Sequence, residues 1–166
     1  GCSVPGWIKE APVEKGAVYA VGHGDPGYWT NPIEEAKKRA RVDIGRTVES
    51  EVKSVFILQD VGSRSYAEEV SATFSDTIVT GTRVLETYYD EEGEIGPKCR
   101  LYVLMKFEQS KFIRELAQTG TAVAKKQRQA VSPEQIEKAA GKAFEELDAA
   151  LAQKNKTYEQ AARQKK

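Results

Sequence analysis

The chain has 166 residues, a length that suits one domain with a long tail or one domain with a small helical appendage. Lysine plus arginine equals aspartate plus glutamate at 25 each, so the formal net charge is zero. This balance argues against a nucleic-acid-binding surface. No stretch approaches the roughly 18 uncharged apolar residues that a membrane-spanning helix needs, and the two cysteines cannot form a disulfide framework.

The pair Gly1-Cys2 matches the end of a bacterial lipobox, in which the cysteine becomes the lipidated first residue of the mature protein. Each buried acyl CH₂ contributes roughly 0.8 kcal/mol, so a cysteine with two or more acyl chains, palmitate among them, would anchor stably. The alternatives are a cloning remnant at Gly1, a surplus thiol at Cys2, or a disulfide between Cys2 and Cys99. We expect lipidation of Cys2 and a half-buried free thiol at Cys99.

Residues 1–16 are rich in Pro, Gly, Lys and Glu, so we interpret them as a tether with one docking aromatic residue, Trp7. Residues 18–22 favour a strand, and a glycine-rich loop follows over residues 23–30. The segment 31–34, Asn-Pro-Ile-Glu, predicts a helix start because it offers an N-cap, a proline at the first helical position and a glutamate three residues after the cap. Apolar steps of three and four extend this helix from 33 to about 50.

The β-branched residues of segment 52–58 then predict a strand. Segment 65–77 has a helical step of four at Tyr66, Val70 and Phe74, yet its end also favours a strand. We favour a helix there.

Segments 80–89 and 101–107 are rich in Thr, Val, Tyr and Leu, and an acidic, glycine-containing turn joins them. They predict a β-hairpin. Apolar and polar residues do not alternate cleanly in the first arm, which indicates burial on both faces or a helix over one face.

Two more helices follow, the first over residues 111–124 with Gly120 weakening its middle. The second begins at Ser132-Pro133-Glu134-Gln135, again a cap, a proline and a reciprocal partner. Its apolar stripe to Leu151 is close to a heptad but spans about three heptads, so a coiled coil and a single amphipathic helix laid on the domain remain alternatives. We favour the latter and expect the polar tip beyond Leu151 to fray.

The whole pattern predicts an α+β fold, an antiparallel sheet packed against helices with an additional C-terminal amphipathic helix. The predicted organisation is a tether over 1–16, an α+β domain over 17–131 and a helix over 132–166.

The sequence contains no convincing catalytic or metal-binding motif. His23 is the one histidine, and no recognisable nucleophile signature accompanies it. Gly22, Gly24 and Gly27 match Gly-x-Gly-x-x-Gly, but Pro26 removes an amide donor and the predicted helix starts late, so the match is weak. The acidic turn lacks the alternating oxygens of an EF-hand. We therefore expect no enzyme activity, cofactor or metal.

The aromatic pairs have two interpretations. Exposed, Tyr28 with Trp29 and Tyr88 with Tyr89 would mark a binding surface, whereas buried they belong to the core or anchor a loop. We favour burial or loop anchoring. If the 23–30 loop instead binds a small ligand, His23, Tyr28 and Trp29 are the candidate contacts. The basic residues of segment 37–41 could face anionic lipid, but acidic neighbours dilute them, and an ordinary solvated face is favoured.

Several features in order carry a family resemblance: Pro5-Gly6-Trp7, the Tyr-Ala-Val-Gly strand end at 19–22, the helix 34–41, and the aromatic hairpin. In this combination, over about residues 5–118, the chain resembles the Lpp-twenty family of bacterial lipoproteins, which includes flagellum-associated outer-membrane lipoproteins of the FlgP kind. The loop 23–30 and the C-terminal helix depart from the family pattern.

The resemblance implies a compact α+β domain held in the bacterial envelope by the lipid on Cys2, with no catalytic residues. Ser3 suits outer-membrane sorting. Family members are associated with surface antigens, motility and envelope assembly, and some self-associate. We therefore expect a non-catalytic, lipid-anchored module, structural or interaction-based, with the membrane, envelope proteins and a homo-oligomer as partners and no nucleic acid. A small-ligand-binding lipoprotein is the alternative.

Overall fold

The computed structural model describes residues 3–164, and Cys2 lies outside them. The elements in chain order are a 3-10 turn Gly6–Ile8, strand β1 Val18–Gly24, helix α1 Pro32–Leu58, helix α2 Arg64–Gly81, strands β2 Arg83–Asp90 and β3 Arg100–Phe107, a 3-10 turn Gln109–Lys111, and helices α3 Ile113–Gln127 and α4 Pro133–Gln164. Over this described part the fold is α+β, with a three-stranded antiparallel sheet and four helices, as the sequence predicts.

The chain forms two compact units. One consists of residues 3–12, 18–46 and 78–107 and contains the whole sheet. The other consists of residues 13–17, 47–77 and 108–164 and is mainly helical. The tether, domain and helix boundaries proposed from the sequence stay a prediction.

The sheet has the order β1-β3-β2, so β3 is the central strand. Val18 pairs with Phe107 and His23 with Tyr102, while Tyr88 of β2 pairs with Tyr102 from the other side. Residues directly opposite in neighbouring strands share a face, so His23, Tyr102 and Tyr88 form one row across the sheet.

Strand β2 is an exposed edge, and the prediction that this arm is covered on one or both faces is wrong. A β-bulge between Val84 and Glu86 leaves Leu85 as an extra residue. Because one additional residue reverses the in-out alternation, the sequence pattern of this arm does not sort into two faces.

The predicted strand at 52–58 is also wrong, since these residues continue α1. Val52, Val55 and Phe56 are buried, at the i, i+3 and i+4 positions of one helix face. A short apolar, β-branched run does not distinguish a buried strand from a buried helix, and burial decides here. Helix α2 confirms the helical alternative for 65–77 and extends to Gly81.

Both predicted helix starts are confirmed by hydrogen bonds. Ile33 N donates to Asn31 Oδ1 at 3.2 Å. At α4, Gln135 N donates to Ser132 Oγ at 3.2 Å, and Ser132 N donates to Gln135 Oε1 at 2.9 Å. The second pair is a reciprocal capping box.

In the helical unit, Gly120 lets three elements approach closely. The Tyr66 hydroxyl donates to the Gly120 carbonyl at 2.9 Å, and a Cβ at Gly120 would lie 2.7 Å from Ile136 Cγ2. Helix α4 buries side chains from Ile136 to Leu147 and then continues to Gln164. Beyond Leu151 its side chains are exposed, apart from a half-buried Asn155.

Candidate functional site

The end of β1 lies unusually close to the start of α1. A Cβ on Gly22 would lie 1.9 Å from the Ala36 carbonyl oxygen, and one on Gly24 would lie 1.9 Å from that of Pro32. No side chain fits in either place, because such distances are far below van der Waals contact. Helix packing therefore accounts for these two glycines, without a phosphate ligand.

His23 lies in β1, so the loop predicted to start there starts at Asp25 instead. Its ring centroid is 6.4 Å from that of Tyr102, and its carbonyl accepts a hydrogen bond from Arg39 Nη1 at 2.8 Å. Burial, and then the positive charges of Arg100 and Arg39, lower the pKa of His23 below its ordinary value. These surroundings favour the neutral imidazole.

The loop over residues 25–31, here called the aromatic loop, is fixed at its first residue. Arg100 Nε donates to Asp25 Oδ1 at 2.7 Å and Arg100 Nη2 to Asp25 Oδ2 at 3.0 Å. This bidentate geometry sets both position and orientation. Thr30 Oγ1 also donates to the Asp25 carbonyl at 3.4 Å, and Asn31 caps α1 at the loop's far end.

Tyr28 and Trp29 stand at the tip of the aromatic loop, 95% and 92% exposed. Their ring centroids are 5.4 Å apart in an edge-to-face arrangement. The favoured burial of this pair is therefore wrong. Of the other aromatic residues, Trp7 and Tyr88 are half-buried and Tyr89 is 53% exposed.

A groove of about 560 Å³ runs beside β1 and the first half of α1. Its lining includes His23 and a mixture of basic and acidic side chains, among them Lys38, Arg39 and Asp43. Tyr28 and Trp29 do not line it. The structure thus does not gather the three predicted ligand contacts in this groove, and ligand binding by them stays a prediction.

Asp90 organises the turn of the hairpin, a role that the sequence reading missed. Asp90 is 1% exposed, and its carboxylate accepts hydrogen bonds from Glu94 N at 2.8 Å and Ile95 N at 3.0 Å. These backbone donors hold the pKa of Asp90 below its ordinary value. Cys99, in the same turn, is a half-buried free thiol as predicted.

Among residues 3–164, no group of three or more His, Cys, Asp and Glu side chains could hold a metal ion. Over the same residues, no helix is both long and apolar enough to cross a membrane.

The chain matches no protein-family model, no curated protein and no solved structure. The resemblance to the Lpp-twenty lipoproteins accordingly stays a prediction.

Proposed function

We propose that this protein is a lipid-anchored component of the bacterial envelope that acts without catalysis, as an interaction module whose contact point is the aromatic loop. The observation that carries the proposal is the near-complete exposure of Tyr28 and Trp29 on a loop held by the Asp25–Arg100 ion pair. A partner that covers these two large aromatic side chains would remove their apolar surface from water, and this burial favours binding.

A fixed loop also lowers the cost of binding. Ordering of a flexible segment opposes association, whereas the two hydrogen bonds of Arg100 and the cap of Asn31 have already ordered this one. Tyr and Trp, together with Arg, are enriched among the few residues that carry most of the binding energy of an interface. The loop therefore has the chemistry and the rigidity of a contact point.

The anchor in this proposal is the acylated Cys2, and the Lpp-twenty resemblance supports it. The location is the outer membrane, facing the periplasm or the surface, with a role in motility or envelope assembly. Envelope proteins and a second copy of the chain are the proposed protein partners, and the proposal includes no nucleic acid and no cofactor.

Mass spectrometry of the N-terminal peptide from the native membrane fraction tests the anchor. We expect Cys2 to carry acyl groups, and a free thiol on protein recovered from the cytosol would overturn that clause. Acrylamide quenching of Trp29 in a Trp7→Phe chain tests the contact. We expect Trp29 to be protected in native envelopes and open to quencher in the purified chain, and equal quenching in both would overturn the interaction clause.

A further inference from the structure

The position, charge and shape of the aromatic loop also indicate which kind of partner covers its two aromatic side chains. We propose that Tyr28 and Trp29 insert into the headgroup region of the phospholipid bilayer that holds the protein, as a second membrane contact beside the acyl chains. This inference rests on the proposed anchor at Cys2 and names the partner of the loop.

The first argument is the length of chain between the anchor and the folded unit. The 3-10 turn Gly6–Ile8 lies against β3, in the same compact unit as the aromatic loop. Four residue steps separate Cys2 from Gly6, and a fully extended chain covers at most about 3.6 Å per residue. The docked turn therefore lies within about 14 Å of an acylated Cys2, so the unit stays at the membrane surface.

The second argument is the charge of the loop. Asp25 is the one acidic or basic residue in segment 25–31, and Arg100 neutralises it through two hydrogen bonds. An unpaired charge would oppose insertion because it must lose its water. The tip instead offers two aromatic rings and no charge to desolvate.

The third argument is the shape of the loop. Tyr28 and Trp29 project from a run of exposed residues, 26–31, and neither of them lines the neighbouring groove. A protein interface of standard size buries about 800 Å² per partner, more than two side chains alone supply. An isolated Tyr-Trp wedge instead has the amphipathic chemistry that is enriched at membrane–water interfaces.

The test uses the full chain with a lipid coupled by maleimide to Cys2, in a Cys99→Ser background so that one thiol reacts. Trp7→Phe then leaves Trp29 as the sole fluorophore, because the sequence has two tryptophans. The chains are bound to vesicles of phosphatidylethanolamine and phosphatidylglycerol, with and without bromine at the upper acyl carbons. We expect Trp29 emission to shift to shorter wavelength and to be strongly quenched by bromine.

Two controls define the outcome. In the matched Trp29→Phe chain, the half-buried Trp7 should show neither change. Tyr158→Ala removes an aromatic residue that is 60% exposed on α4 and should leave the Trp29 signal intact. Trp29 that stays unquenched by bromine and open to acrylamide overturns the inference. Trp29 that is protected in native envelopes but not on these vesicles also overturns it, and assigns the loop to a protein. Because the lipid is attached chemically, either failure is separate from failure of the Cys2 anchor in the cell.

Discussion

Asp25 and Arg100 are 75 positions apart, yet two hydrogen bonds of 2.7 and 3.0 Å join them. This pair connects the aromatic loop to the start of β3.

Arg100→Ala should loosen the aromatic loop while leaving the fold intact. Both partners are partly exposed, so their contribution to global stability is small. Amide exchange of Ile33, whose N–H is held by Asn31 at the end of the loop, should accelerate several-fold, with no comparable change in β3 beyond its first residues. An Asp25→Arg, Arg100→Asp double variant should recover part of the protection, and loss of the whole sheet in Arg100→Ala would contradict this role.

Gly22→Ala should destabilise the protein by about 3 kcal/mol, because the new methyl group must displace the Ala36 carbonyl. Urea unfolding measures the change. The matched control is Gly45→Ala in the same helix as Ala36, where a Cβ would meet nothing within 4 Å. That change should stabilise by about 0.5 to 1 kcal/mol, since alanine favours helix over glycine.

Tyr66→Phe should cost about 1 to 2 kcal/mol, because the buried hydroxyl bonded to the Gly120 carbonyl is lost. Burial raises the pKa of Tyr66 to about 12, in agreement with a neutral, hydrogen-bonded phenol. Tyr158→Phe on an exposed part of α4 should change the free energy of unfolding by less than about 0.5 kcal/mol. Equal effects of the two changes would show that the Gly120 bond adds nothing.

The hairpin turn should lose stability in acid because the pKa of Asp90 is lowered in the folded state. The carboxylate therefore stabilises the fold above its ordinary pKa of 3.8, and this contribution disappears as the pH falls through the lower folded value. Thermal melts of the wild type and of Asp90→Asn, recorded from neutral pH to well below pH 3.8, isolate the effect of this carboxylate. The difference between them should be greatest near neutral pH and shrink in acid, and a constant difference would assign the loss to other groups.

Truncation after Ala152 should leave the melting temperature nearly unchanged, because α4 has no buried side chain beyond Leu147. Deletion of all of 132–166 would confuse a test of self-association with a loss of stability, since it removes Ile136, Phe144 and Leu147 from the core. Light scattering on the shorter truncation then tests self-association through the exposed half of α4. An oligomer that persists without residues 153–166 would place its interface elsewhere.

Local signals in the sequence predicted much of the fold. The caps at Asn31 and Ser132 and the hairpin turn depend on neighbours within a few positions, so a short window contains the information. The continuation of α1 through 52–58 depends on burial, which β-branched residues alone do not settle. The exposure of Trp29 depends on the tertiary packing around the loop, which leaves this side chain uncovered. The role of Asp90 depends on the backbone amides that the turn places around its carboxylate. Neither relationship has a sequence signature.

The extra residue Leu85 in β2 has a consequence for contacts between copies of the chain. Strand β2 is a sheet edge, and regular edges recruit strands from neighbouring molecules into amyloid-like aggregates. The bulge bends this edge and interrupts the even spacing of its backbone groups, and the exposed charges of Arg83 and Glu86 lie on either side of it. The β2 edges of two copies are therefore poorly matched for pairing with each other.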